Sequence, residues 1–136
     1  LYHASKQIVQ YPEVRKAKYT KDFSWGFYCT NNIQQAIRWV NRGAGDPVIN
    51  YYEYEPNDSL KILKFPEMSD EWLDLIAQCR NGKTHNYDIV EGPMADDTVW
   101  NYVNDFLTGR ISRKQFWINL FHSSDIQRWL RGLKYC

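Results

Sequence analysis

Helical and β-type patterns interleave along this chain without a regular strand–helix–strand alternation, and that order limits the fold more than any single motif does. Ile33, Ala36, Ile37 and Val40 recur at helical spacing, which makes one apolar stripe. Thr30 or Asn31 is placed to cap that helix, and Gly43 to end it. Trp72, Leu75, Ile76 and Cys79 make a second stripe, capped by Ser69 and closed by Asn81 and Gly82. Val99, Tyr102, Val103 and Phe106 make a third, opened by Asp96 and Asp97 and ended at Gly109. Around these lie β-rich runs: a first strand near residues 1–3, then residues 23–30, 48–54, 60–65, 87–90 and 117–122. Pro56, Asn57 and Asp58 form a turn signal between two of them, as in a hairpin. Ser112 with Gln115 reads as a capping box for a short helix, and Ser124 with Gln127 as another, opening a final helix through Leu133. Residues 10–22 read as a loop or an irregular strand. The pattern predicts an α+β fold in a single domain over residues 1–136.

Composition narrows the function classes. A length of 136 residues suits one domain with a real core. Aromatic residues make up 16% of the chain, enough to fill that core and still line a ligand cleft. The formal net charge is +1 with acids and bases interleaved, so there is no electrostatic footprint for nucleic acid. The basic clusters at residues 15–21 and 128–134 read as solvated faces. Cys29, Cys79 and Cys136 are odd in number and form no C-x-x-C, which argues against a disulfide framework and against a zinc site. Reduced thiols fit the cytoplasm. No apolar run reaches membrane-spanning length, so no membrane partner is expected. No G-x-G-x-x-G is present, so a dinucleotide would not sit in a Rossmann crevice.

Three features stand out as chemistry. His3 lies in Leu1-Tyr2-His3-Ala4-Ser5, and a second cluster reads Gly26-Phe27-Tyr28-Cys29-Thr30. Trp39 sits off the stripe of its own helix, roughly 110° from the stripe's centre at about 100° per residue, so it faces solvent or an adjoining cleft. A longer string follows, Tyr87-Asp88-Ile89-Val90-Glu91-Gly92-Pro93-Met94-Ala95-Asp96-Asp97. In order and spacing these motifs resemble the diphtheria-toxin-like and poly(ADP-ribose)-polymerase-like ADP-ribosyltransferases, and more closely a bacterial branch of unassigned function. The resemblance runs from Leu1 to about Leu133.

The resemblance implies a split antiparallel-sheet fold with flanking helices and NAD as substrate. It implies a glycosyl transfer in which ADP-ribose passes to a protein or nucleic-acid acceptor. A toxin or effector role would bring an antitoxin or another partner protein with it. His3 would hydrogen-bond a ribose hydroxyl with one ring nitrogen while backbone fixes the other. Ala4 stands where the family has Gly, whose backbone holds the nicotinamide amide, and Ser5 would offer a hydroxyl nearby. Gly26 would allow close backbone approach, Tyr28 would stack on the nicotinamide ring, and Trp39 would close the other side. Polymerase-type relatives carry Glu at the start of the last strand. Here Ile118 occupies that place with Asn119 one register away, and residues 117–122 hold no carboxylate. That argues against polymer synthesis and leaves mono-ADP-ribosylation. Glu91, Asp96 and Asp97 are the acidic groups that could assist, from their place in the motif. His85 lies in a polar loop and receives no role; Ser123 beside His122 reads as a helix cap. Two rival readings are a non-catalytic module of the same fold, binding NAD, ADP-ribose or a protein, and a nucleic-acid-binding domain, which the near-zero net charge disfavours.

Overall fold

The computed structural model describes residues 1–16, 21–55, 57–95 and 97–122. The chain divides into two compact units. The described residues of the first fall within Leu1–Lys16 and Gly26–Asp58, and those of the second within Ala17–Trp25 and Ser59–Lys134.

In the first unit β1 (Tyr2–Ser5) and β2 (Val48–Tyr51) pair antiparallel, with His3 opposite Asn50 and Ala4 opposite Ile49. The helix α1 (Ile33–Val40) packs against both strands. Its cap is Asn32 rather than Thr30 or Asn31. The Asn32 side chain accepts the N–H groups of Gln34 and Gln35, while the Thr30 hydroxyl oxygen accepts the N–H of Asn32 at 3.1 Å. A short amide side chain thus covers two of the helix's orphan donors. Ala36 and Val40 are buried and Ile37 half-buried; Ile33, at the open first turn, is 43% exposed.

In the second unit β3 (Ile62–Lys64) and β4 (Ile89–Glu91) pair in parallel. The helices are α2 (Asp70–Arg80), α3 (Asp97–Leu107) and α4 (Arg113–His122), and α3 packs against both others. Trp72, Leu73, Ile76, Cys79, Val99, Val103, Phe116 and Leu120 form the core of this unit and are essentially inaccessible. Each large aliphatic or aromatic member contributes about 1.5–3 kcal/mol by leaving water. The stripe of α2 includes Leu73 in place of Leu75, which is half-buried. Trp72 and Leu73 are both fully covered, so the apolar face of this helix is wider than the spacing rule implies.

The α+β class is what the described residues form, with four helices and two small sheets. Several expectations need correction. Residues 48–54 and 60–65 do not make a hairpin: β2 pairs with β1, β3 pairs with β4, and the two belong to different units. Residues 23–30 form no ladder strand. Residues 21–24 make a turn in which Lys21 and Ser24 are bridged and Ser24 takes φ 71°. Past that turn, a single Tyr2–Thr30 bridge joins the 26–30 stretch to β1.

The expected strand at residues 117–122 is the second half of α4. Its aromatic residues suggested β structure, yet Phe116 and Leu120, four apart, are the two it buries. The Ser112 hydroxyl oxygen accepts the N–H of Gln115 at 3.1 Å, which starts the helix. The Gln115 side chain does not return to close a capping box; it donates to Asn119 Oδ1 at 2.7 Å, one turn on. Residues 87–90 are shifted to β4, whose Ile89 and Val90 are half-buried. The expected helix from Ser124 to Leu133 lies outside the described residues.

Candidate functional site

The alternation of β1 sets out the first candidate group. Leu1 exchanges both backbone hydrogen bonds with Tyr52, at 2.7 and 2.8 Å. Tyr2 exchanges both with Thr30, at 2.7 and 2.9 Å. Successive residues of a strand turn their N–H and C=O to opposite edges. His3 therefore turns its backbone toward β2, and Ala4 turns its N–H and C=O toward the edge where residues 26–30 pass. Among the described residues no backbone bond joins Ala4 to that stretch.

His3 meets the same stretch through its side chain. Its Nδ1 lies 2.7 Å from the carbonyl oxygen of Tyr28, 25 residues away in sequence. A carbonyl only accepts, so Nδ1 carries the proton and donates, and in the neutral ring Nε2 is left with a lone pair. The ring is stacked on Phe27, centroids 4.0 Å apart and planes 27° from parallel. Phe27 in turn meets Tyr52 edge-on at 5.6 Å and 77°. Tyr52 donates its hydroxyl to the Val9 carbonyl at 2.5 Å. Asn50, buried opposite His3, accepts the Val9 N–H at 2.9 Å and donates to the Gln7 carbonyl at 3.3 Å. One ring nitrogen, one ring face and the neighbouring loop are all fixed by this arrangement.

Phe27, Asn50 and Tyr52 received no role from sequence. A signal was present for the last two. Asn is disfavoured in strands unless its amide is used, and Asn50 and Tyr52 share one face at period two. Phe27 sat inside the quoted motif, but nothing in the sequence says which aromatic of the run stacks on His3.

The other residues of the first group are placed as follows. A Cβ on Gly26 would stand 3.3 Å from Cε2 of Tyr28, so the half-buried Tyr28 ring lies close over the Gly26 backbone, and a larger residue there would push it aside. The Ser5 hydroxyl oxygen accepts the N–H of Gln7 at 3.3 Å. Trp39 is half-buried on α1, and among the described residues no hydrogen bond or ring contact joins it to His3 or Tyr28. Burial pushes the Cys29 thiol up, against the pull of the chain's amine. Burial also raises the Tyr52 phenol, with the neighbouring Cys29 adding to the effect. Both groups are therefore neutral around pH 7. An open depression of about 360 Å³ lies in this unit, lined by Leu1, Tyr51, Tyr52, Glu53 and Tyr54. It is set at the end of β2 and is not lined by His3 or Tyr28.

The remaining candidates belong to the second unit. Glu91 ends β4, is exposed and pairs with Lys64 at 3.4 Å. Asp97 opens α3, and Asp96 lies outside the described residues. Ile118 and Asn119 stand on a helix, so the placement at the start of a last strand does not hold for either; Ile118 is 40% exposed.

The string that contains Glu91 is held by a network that sequence did not reveal. Asp22 is fully buried. Its Oδ1 accepts from Arg80 Nε at 2.9 Å and again from the same guanidinium's NH2 group, and its Oδ2 accepts the Ala95 N–H at 2.8 Å. The Arg80 guanidinium lies over the Trp100 ring at 4.1 Å. Trp72 Nε1 donates to the Pro93 carbonyl at 2.8 Å. A Cβ on Gly92 would stand 3.0 Å from Cβ of Phe65, so a side chain there would require Phe65 to shift. His85 is structural too. Its Nδ1 accepts the Tyr87 N–H at 3.2 Å, so Nε2 carries the proton and donates to the Phe23 carbonyl at 2.9 Å.

Among the described residues no group of three or more His, Cys, Asp or Glu is arranged to hold a metal ion. No helix among them is long and apolar enough to cross a membrane. No curated protein and no solved structure matches the chain. A family model, DUF3990, described as a protein of unknown function, matches residues 1–130. The chain, over nearly its whole length, belongs to the DUF3990 family.

Proposed function

We propose that this protein is a mono-ADP-ribosyltransferase of the cytoplasm, acting on a protein or nucleic-acid acceptor as a toxin or effector. The observation that carries the reading is the meeting of His3 with Tyr28. Two motifs 25 residues apart are joined by a hydrogen bond that spends Nδ1 and leaves Nε2 as an acceptor. NAD, as substrate, supplies a ribose carbon bonded to a cationic nicotinamide leaving group. In this reading His3 Nε2 accepts from a ribose hydroxyl, and Phe27 keeps the imidazole plane from turning. Ala4 presents backbone N–H and C=O at the edge where Tyr28 passes, a donor–acceptor pair that suits a carboxamide. Tyr28 supplies a ring face for a flat cation, and Gly26 leaves that ring its seat. Positioning is the main contribution required of such a site.

The test is nicotinamide release from NAD by the purified chain. Release is expected from the native protein, with losses of at least about 100-fold in His3→Ala and Tyr28→Ala, the scale of a mispositioned reacting group. Full activity in both variants would sink the assignment of the site.

One observation favours a second reading, a non-catalytic module that binds NAD or ADP-ribose. Ile118 and Asn119 lie on a helix, and residues 117–122 hold no carboxylate. A module of that kind raises the melting temperature with NAD but releases no nicotinamide.

A further inference from the structure

The contacts around His3 close on themselves. His3 and Asn50 stand opposite each other in the β1–β2 pair, so their side chains share one face of the sheet, and Tyr52, two residues past Asn50, shares it too. The His3 ring stacks on Phe27 at 4.0 Å, and Phe27 meets Tyr52 in an edge-to-face contact at 5.6 Å. The Tyr52 hydroxyl donates to the Val9 carbonyl at 2.5 Å, and the Val9 N–H donates to Asn50 Oδ1 at 2.9 Å. That last bond leads back to the residue facing His3. Backbone pairing reaches the 26–30 stretch through the Tyr2–Thr30 bridge, three residues past Phe27. The place of the half-buried Phe27 ring is therefore set largely by the two rings on either side of it, His3 and Tyr52.

We infer that Tyr52 is the positioning residue of His3: by fixing the Phe27 ring it fixes the tilt of the imidazole, and with it the direction in which Nε2 is offered to a ligand. The hydrogen bond from Nδ1 to the Tyr28 carbonyl leaves the imidazole free to tip about the line of that bond. A stacked ring removes this freedom only if it is itself held, and Tyr52 is what holds it. The hydroxyl tether to Val9 keeps the Tyr52 ring from turning away in its turn. Reacting groups tolerate little misplacement, and their orientation is set by neighbours whose own side chains are locked. The use of Nε2 on a ribose hydroxyl of NAD rests on the reading proposed above; the orientation of His3 by Tyr52 does not.

The experiment is proton–nitrogen NMR of the imidazoles in the full chain, with isotope-labelled histidine at about pH 8, above the ordinary imidazole range. The His3 resonances are those missing from His3→Ala. In the native protein they should report one tautomer, with the proton on Nδ1. Tyr52→Leu removes the ring and should let the two tautomers average. In the same variant kcat for nicotinamide release should fall about tenfold, the scale of one lost aromatic contact. Tyr52→Phe keeps the ring, so it should hold the native tautomer and keep kcat within about threefold. Phe27→Leu removes the ring between the two and should act like Tyr52→Leu; it carries the test if Tyr52→Leu does not fold. A residue that only supported the fold would lower the melting temperature and leave the His3 resonances of the folded protein as they are. Native His3 resonances in folded Tyr52→Leu or Phe27→Leu overturn the inference, whether or not NAD is cleaved. So does a Tyr52→Phe protein as perturbed as Tyr52→Leu. No nicotinamide release from the native protein, with the tautomer lost in Tyr52→Leu and kept in Tyr52→Phe, sinks the NAD reading and leaves Tyr52 as the residue that orients His3.

Discussion

Single side chains in this protein are fixed by partners far away in sequence, and Asp22 is the clearest case. Its carboxylate is shut off from solvent and has both oxygens engaged, by Arg80 and by the Ala95 N–H. Asn at this position keeps the shape but removes the charge and turns an N–H toward one of two donors. The Arg80 side chain is 26% exposed, so the cation left behind regains part of its hydration. The cost of Asp22→Asn should therefore be about 2–3 kcal/mol, below the full penalty for breaking a buried pair. Urea unfolding should read this as a midpoint lowered by about 1–2 M. A midpoint within about 0.3 M of the native one would mean that the pair contributes little. Before the structure, Asp22 was only the end of a polar loop. Its partners lie 58 and 73 residues away, and no local pattern points across such a distance. His3 and Tyr28 are the opposite case. Short motifs in a fixed order singled out both, and the structure brings them within a hydrogen bond.

Elements were legible where one period ran long enough to outvote composition. The stripes of α1, α2 and α3 fixed those helices to within a few residues, because spacing at i, i+3 and i+4 is hard to meet by chance over eight to eleven positions. Strands three or four residues long carry too few positions for alternation to speak. Which run pairs with which depends on contacts across the chain. Hence β3 found β4, and the runs at residues 48–54 and 60–65 closed no hairpin. The second half of the fourth helix was misread because Trp117, Ile118 and Phe121 weigh toward β structure. Tertiary contacts decide otherwise. Arg113 reaches Asp74 at 2.6 Å and Asp70 at 3.2 Å, and Trp117 Nε1 donates to Asp70 at 2.8 Å, tying α4 to α2. The Trp117 hydrogen bond, with Arg113 behind it, holds the Asp70 carboxyl below its ordinary range. The two faces of α4 then predict opposite outcomes. Ile118→Gln, on the exposed side, should change stability by no more than about 0.5 kcal/mol. Phe116→Ala, on the inaccessible side, should cost about 3–5 kcal/mol. Comparable losses in the two variants, measured by thermal or urea unfolding, would overturn this orientation of the helix.

For the whole molecule, the alkaline limb of stability should carry the mark of Cys79. Its thiol is 1% exposed in the core of the second unit, and burial first, then the nearby Asp22 carboxylate, pushes its pKa from 9.0 up to about 11. Between those two values the unfolded chain has given up the thiol proton while the native state still holds it. The unfolded state then binds fewer protons, so unfolding becomes easier as pH rises. The associated stability is fully present below pH 9 and is lost by pH about 11. A shift of that size corresponds to about 2–3 kcal/mol. Lysines and tyrosines titrate over the same range, so the comparison must be with a variant that lacks only this proton. Cys79→Ser does so at nearly constant volume. The difference in unfolding free energy between native and Cys79→Ser protein should be flat from about pH 6 to 8.5, then close against the native protein by about 2–3 kcal/mol at pH about 11. Parallel curves across the whole range would mean that water reaches the thiol, and that the core around Cys79 opens more readily than its burial implies.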